Sequence, residues 1–396
     1  MDIGIVGKPN VGKSTFFSAA TLAEAEIASY PFTTIDANKG MGYVRAPCPH
    51  VEFKVQCTPR NSLCEDGTRL IPVELIDVAG LVPDAHSGKG LGNKFLDDLR
   101  HASAMIHIVD ASGSTDAEGN PVGEGEYDPL QDVEFLSDEL IYWMQGILAN
   151  GWDRAARTAE TTGVKIELAV HERLTGLGIN EHQIWRAMHG LDLPEKPRSW
   201  TEQDLHKVAA AIQKEAKPMI IAANKTDRAS KDNIQRLTAL KDVMVVPICA
   251  EYELVLRKAA KAGLIEYVPG DEDFKIKEDA PLNKAQEHAL EVVRKYLKEH
   301  DSTGVQKCLE TATYELLNLI PVYPVEDDTH LTDKEGRVLP DAHLLPKGST
   351  AIDLAAKVHT DLAEGFIRAV DARTKRVVGH DHELKAGDVI RIVAKT

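Results

Sequence analysis

Nowhere does this chain of 396 residues run some 18 apolar residues together, the length that a membrane-spanning helix needs, so no transmembrane segment is expected. Cysteine is scarce: five residues, without framework spacing, which argues against a disulfide-stapled scaffold and fits a reducing cytoplasm. Positive charge is in deficit, with 46 Lys and Arg against 62 Asp and Glu and a net charge of −16. Such a surface repels anionic polymers and lipids, so neither DNA nor a membrane is an expected partner, and RNA would need a local basic patch. Internal repeats and low-complexity segments are also missing. The first apolar β-run begins at the second residue, so no signal or transit peptide is expected.

The segment immediately after that first run is chemically specific. Gly7-Lys8-Pro9-Asn10-Val11-Gly12-Lys13-Ser14, followed by Thr15, has the phosphate-loop spacing, between a short β-run and a helix start. Glycines at positions 7 and 12 let backbone N–H groups converge on an anion. Lys13 can reach the β- and γ-phosphates, Ser14 can ligate Mg²⁺, and the helix beginning near Lys13 turns its positive end to the phosphates.

Apolar β-runs recur at residues 3–6, 72–76, 104–109, 218–223 and 243–248, with helical stretches between. This is the pattern of a doubly wound, mostly parallel α/β sheet. Residues 41–45 and 51–55 read as an additional hairpin. More than a hundred residues separate Asp110 from Pro218, far more than a simple crossover needs, so residues 112–215 are read as an inserted helical subdomain. Asp128-Pro129, Asn180-Glu181 and Thr201 to Asp204 look like helix starts. All four tryptophans fall in this insertion and are read as inter-helix packing. Further helices are expected over 253–262, 283–300 and 306–319. The last stretch reads strand, turn, strand, helix at 350–362, then strands at 365–370 and 389–393, a small α+β unit of ubiquitin-like order. The expected division is residues 1–320 for the nucleotide domain with its insertion, and 321–396 for the terminal unit.

Two further motifs give the loop a context. Asp77-Val78-Ala79-Gly80 ends the second β-run, where a carboxylate can hold Mg²⁺ and a glycine N–H can meet a γ-phosphate. Asn224-Lys225-Thr226-Asp227 comes after the fourth. The Asp227 carboxylate can accept from guanine N1–H and N2–H₂, which adenine does not offer, so GTP is the expected nucleotide. Lys225 can cover the base, and Asn224 can tie this turn to the phosphate loop. Cys249-Ala250-Glu251 stands where GTPases commonly carry Ser-Ala-Lys. Ala250 suits an N–H contact to the base oxygen, while Cys249 and Glu251 depart from that pattern.

These motifs, together with Tyr30-Pro31-Phe32-Thr33-Thr34, the run Leu81-Val82-Pro83, and Gly88-Lys89-Gly90-Leu91-Gly92-Asn93-Lys94-Phe95-Leu96, make the chain resemble the Obg/YchF group of GTPases, particularly its archaeal branch. The resemblance spans essentially the whole chain. It implies a P-loop G domain interrupted by helices and followed by a TGS domain of β-grasp fold. It also implies that Thr34 completes the Mg²⁺ and γ-phosphate shell, that Leu81 replaces the water-orienting glutamine of many GTPases, and that Asn10 resembles the asparagine supporting K⁺ in cation-activated relatives. Catalysis is therefore assigned to Lys13, Thr34, Gly80 and Asn10, and the metal shell to Ser14, Thr34 and Asp77. The expected activity is Mg²⁺-dependent GTP hydrolysis by a switch working with the ribosome or RNA. Some relatives prefer ATP, so an ATP hydrolase of the same fold is one alternative. An RNA- or ribosome-binding module with incidental turnover is the other.

Three weaker features complete the reading. His86 lies in the loop after Asp77 and reads as a solvated switch residue. Cys48, His50, Cys57 and Cys64 cluster in sequence without close C-x-x-C pairs, so zinc is not expected. Arg368, Arg373, Lys375 and Arg376 form the best local basic patch.

Overall fold

The computed structural model describes residues 2–21, 38–78, 98 and 100–395. Its first sheet is built on β1 (Asp2–Val6), whose Ile3, Ile5 and Val6 are buried, so both faces of the strand are covered, as expected in a parallel sheet. The others are β2 (Lys39–Pro47), β3 (Leu63–Glu65), β4 (Thr68–Asp77), β5 (Ala102–Asp110), β6 (Met219–Asn224) and β7 (Met244–Pro247). The order is β2-β4-β1-β5-β6-β7, with β3 on β4. Strand β1 pairs in parallel with β4 and β5, and the β5–β6 and β6–β7 pairs are parallel too. Parallel pairing gathers the C-terminal ends of β1, β4, β5 and β6 at one edge, where the sequence places its motifs.

The connection from β5 to β6 is helical. The helix Pro129–Ala149 starts where its cap chemistry dictates, with Asp128 accepting from the Leu130 N–H at 3.1 Å. Glu181–Met188 and Glu202–Ala216 start on capping boxes at Asn180 and Thr201. Trp152 and Trp200 stack at 5.0 Å in this helical core, and their indole N–H groups donate to Pro197 O and Pro194 O. A stacked, satisfied, buried pair is packing. Trp185 is different: it is 48% exposed and lies on His189.

By contact, the described residues fall into two units: 2–19, 38–40, 74–78, 98 and 100–308 form one, and 20–21, 41–73 and 309–395 the other. The first also holds the short antiparallel pair β8 (Ile265–Glu266) and β9 (Lys275–Ile276). In the second, β10 (Leu319–Val325), β11 (His343–Pro346), β12 (Phe366–Asp371), β13 (Val377–Val378) and β14 (Val389–Ala394) form a sheet of order β11-β10-β14-β12-β13. Its β10 and β14 run parallel at the centre, and Leu354 of the helix Ala351–Val358 packs with Val322 and Ile390, which is a β-grasp arrangement.

Three local expectations fail for identifiable reasons. Residues 51–55 are not a strand: Pro49–Phe53 is a short helix with proline in its first turn, closed by Lys54 in the left-handed region at φ 55°. The expected helix over 350–362 breaks at His359, which is extended, and resumes as Thr360–Glu364. The helix after Gly304 covers Val305–Glu310 and then widens into a π-helical stretch, Thr311–Leu316.

Candidate functional site

The phosphate loop leaves β1 through backbone that needs glycine. A Cβ at Gly7 would stand 2.7 Å from Ile108 O, and one at Gly12, whose φ is +95°, would stand 2.3 Å from Asn224 Nδ2. Between them Asn10 takes φ 63°, a left-handed turn that asparagine tolerates. Val11 and Phe16 are buried, and Phe16 N–H donates to Gly12 O at 2.9 Å, opening helix α1 (Lys13–Thr21) directly on the loop. Lys13 Nζ lies 2.6 Å from Asp77 Oδ1 at the end of β4. Their side chains are only 15% and 23% exposed, so the pair is screened less than a surface ion pair. Ser14 is exposed and Thr15 half-buried in the first turn of α1. The Ser14 hydroxyl and the Asp77 carboxylate are hard oxygen donors of the kind Mg²⁺ selects.

The turn after β6 is fastened to this loop by one side chain. Asn224 donates from Nδ2 to Val11 O at 2.9 Å and accepts from the Ala250 N–H at Oδ1, 3.1 Å. The Ala250 N–H, expected to meet the base, is thus engaged within the protein. Lys225 sits at φ 62° and sends Nζ to Asp110 Oδ2 at 2.9 Å and Ser114 Oγ at 3.3 Å. Asp227 Oδ1 accepts from Cys249 Sγ at 3.3 Å, so this cysteine donates where a serine is usual. Burial and the adjacent Asp227 push the Cys249 thiol up, keeping its proton on sulfur. Arg228 Nε lies 3.4 Å from Asp227 Oδ2 but is 63% exposed, and contributes little.

Two carboxylates escaped the sequence reading. Asp110 ends β5, buried, accepting from Ser112, Ser114 and Thr115 hydroxyls as well as Lys225. Burial alone would raise its pKa, but the hydrogen bonds from Ser112 and Lys225 outweigh that and hold it low. Its place at the C-terminal end of a central parallel strand was the available signal. Asp132 had none. It holds Lys8, whose buried Nζ lies 2.8 Å from its carboxylate, 3.0 Å from Thr115 O and over the Tyr127 ring.

The Lys8 ammonium thus serves the segment after β5, which leaves its backbone N–H as the group that a phosphate could meet. Asn10 Nδ2 donates to Gly119 O in the same segment, at 2.9 Å. A cavity of about 10 Å³ behind the loop, lined by Gly7, Lys8, His107 and Asp132, has room for a single water. Burial, then Lys8, pushes His107 down to about 3, so it stays neutral at this wall. Lys8→Met is expected to cost about 3–5 kcal/mol in urea unfolding, because it strands Asp132 in the interior. The double variant Lys8→Met/Asp132→Leu should recover most of that loss; no recovery would show that the pair is not the cause.

Thr34 and Gly80 lie outside the described residues, as do Leu81, His86 and the glycines at 88, 90 and 92. The terminal basic patch is half neutralised. Arg373 grips Glu52 through Nε and Nη2 at 2.7 and 2.8 Å, and Lys375 pairs with Asp328, while Arg368 and Arg376 are exposed.

A phosphate loop after β1, a carboxylate ending the neighbouring β4, and an Asn-Lys-x-Asp turn bonded back to the loop define a P-loop nucleotide-binding domain of the GTPase class. Residues 2–136 match the 50S ribosome-binding GTPase model, 222–327 the G4-motif domain of the Obg-like YGR210-like GTPases, and 334–394 the TGS domain. An uncharacterised GTP-binding protein of Methanocaldococcus jannaschii is 52% identical over 394 residues, 99% of this chain and 98% of its own. A ribosome-binding ATPase, YchF, of Haemophilus influenzae is 29% identical, covering 98% and 97%. A crystal structure of a GTP-binding protein from Pyrococcus horikoshii shares 45% identity and a TM-score of 0.80 over the whole of both chains. The chain belongs to the Obg-like, YchF-related family of GTP-binding proteins, with a P-loop domain and a TGS domain.

Proposed function

We propose that this protein binds GTP with Mg²⁺, hydrolyses it to GDP and phosphate, and uses the two states as a switch at the ribosome. The observation that carries the reading is the Asn224 bridge. By joining Val11 O to the Ala250 N–H, it puts the Asp227 carboxylate and the phosphate loop in one frame. A carboxylate there selects a base edge with two donors, which is guanine. The hydrolysis assigned to it is attack of water on the γ-phosphate. Lys13 and the loop N–H groups stabilise the charge that gathers on the phosphoryl oxygens. Ser14, Asp77 and Thr34 would hold Mg²⁺, which supplies further positive charge when bound. In the same reading Asn10, fixed by Gly119, is the residue to which a K⁺ ion would bind.

The ribosome enters from the name of the Haemophilus relative and from the matching family descriptions. The half-neutralised basic patch lends RNA contact little support of its own. The same name calls that relative an ATPase, which is the competing reading for the substrate. The experiment is co-sedimentation of the full chain with archaeal ribosomes in GTP, GDP and a non-hydrolysable GTP analogue, with phosphate release measured in parallel. Binding that differs between the analogue and GDP is expected, together with GTP turnover. Identical binding in all three would remove the switch.

A further inference from the structure

The chain folds so that four metal-ligating side chains, near in sequence but without a close cysteine pair, meet in its second unit. Cys48 precedes the helix Pro49–Phe53, His50 lies within it, Cys57 stands in the next loop, and Cys64 is on β3. One ligand atom from each can be chosen so that all lie within 4.8 Å of one another. His50 Nδ1 is 3.3 Å from Cys57 Sγ and 3.5 Å from Cys64 Sγ. A tetrahedral zinc ion with Zn–S of about 2.3 Å and Zn–N of about 2.0–2.1 Å requires S···N edges of roughly 3.5–3.6 Å. The observed edges are close to that size before any ion is placed.

We propose that Cys48, His50, Cys57 and Cys64 form a structural Cys₃His zinc site. Four protein ligands leave no open position, so the site is for folding and not for chemistry. Loading Zn²⁺ releases the three thiol protons to solvent and leaves a complex of net charge −1. A counter-charge stands beside it. Arg69 is fully buried, is the cross-strand partner of Cys64 in the β3–β4 pair, and donates to Ser62 Oγ and Leu339 O while its Nε finds no partner among the described residues. A buried guanidinium with an unused N–H is costly beside neutral thiols and far less so beside an anionic metal complex.

The local structure is also of the sort that metals stabilise. Its helix has five residues and its strand β3 three, and its turns use Lys54 and Asp66 at positive φ. Elements so short bury little apolar surface by themselves. The sequence hid the site because its spacing, C-x-H-x₆-C-x₆-C, has no close cysteine pair. The helix at Pro49 and the β3–β4 hairpin fold the long gaps back.

The test is elemental analysis of the full chain purified under reducing conditions, followed by Co²⁺ substitution. A single zinc per chain is expected, with thiolate-to-cobalt charge-transfer and tetrahedral d–d bands, and a lower Tm after chelation. His50→Ala and Cys64→Ser should lose the metal, while Cys308→Ala, which removes a buried thiol outside the cluster, should keep it. If the ligand variants fail to fold, the wild-type cobalt spectrum decides alone. No bound metal and no bands after reconstitution would overturn the site. So would a mass two hydrogen atoms short, marking a disulfide among these cysteines, and iron in the metal's place would overturn zinc.

Discussion

Lys13→Ala is expected to slow GTP hydrolysis by about 100- to 1,000-fold, the loss typical of removing one charged or hydrogen-bonding stabiliser of a transition state. The reason lies in how the ammonium is held. Lys13 opens α1 at the end of a loop whose Gly12 admits no side chain without displacing Asn224, and its Nζ lies 2.6 Å from Asp77. The side chain is therefore confined near the place where the phosphates and their metal would sit, and little reorganisation is needed when charge develops. Removing the ammonium leaves the largely buried Asp77 without its ion-pair partner, so a modest fall in Tm is expected beside the loss of rate. Single-turnover phosphate release with fluorescent-nucleotide binding separates the effects. A large loss of rate with at most a modest fall in Tm is expected, and an unchanged rate would place the transition-state charge elsewhere.

Asp227→Asn is expected to weaken GTP binding by about 100-fold or more, since hydrogen bonds to a charged group contribute roughly 1.5–3 kcal/mol each. The substitution is isosteric, and the surrounding turn is fixed by Asn224, by Lys225 on Asp110 and by Thr226 on Ile248 O and Tyr296, none of which needs the Asp227 charge. The change is chemical: an amide N–H₂ now faces the guanine N–H donors. Xanthosine triphosphate carries a 2-oxo acceptor in place of the guanine amino group, and its binding should rise as that of GTP falls. Calorimetric titration with both nucleotides reads the exchange directly. Equal losses for both would mean that the turn had been damaged without changing which base it reads.

Much of this architecture is legible in the sequence because it rests on short-range rules. Apolar runs bounded by polar turns mark the strands, Asp128-Pro129, Asn180 and Thr201 mark helix starts, and glycine positions fix the phosphate loop. The features that escape rest on tertiary placement. Lys8 stands inside the loop motif, and only the fold shows that Asp132, 124 positions away, takes its charge. Asp110 looks like the last residue of an apolar strand until Lys225 arrives from β6. The alternation of Val51, Phe53 and Val55 imitates a strand, but Pro49 and the left-handed Lys54 make a helical turn there, and that turn brings His50 to the cysteines. Sequence spacing reports metal sites well when ligands come in close pairs. It is silent when a hairpin supplies the proximity.

The most direct test of the account is calorimetric titration of the unmodified chain with GTP and with ATP in the presence of Mg²⁺. The carboxylate of Asp227, held in register with the phosphate loop by Asn224, is expected to favour GTP by at least about 100-fold, the effect of two charge-assisted hydrogen bonds that adenine cannot return. ATP binding as tight as GTP, or tighter, would contradict it.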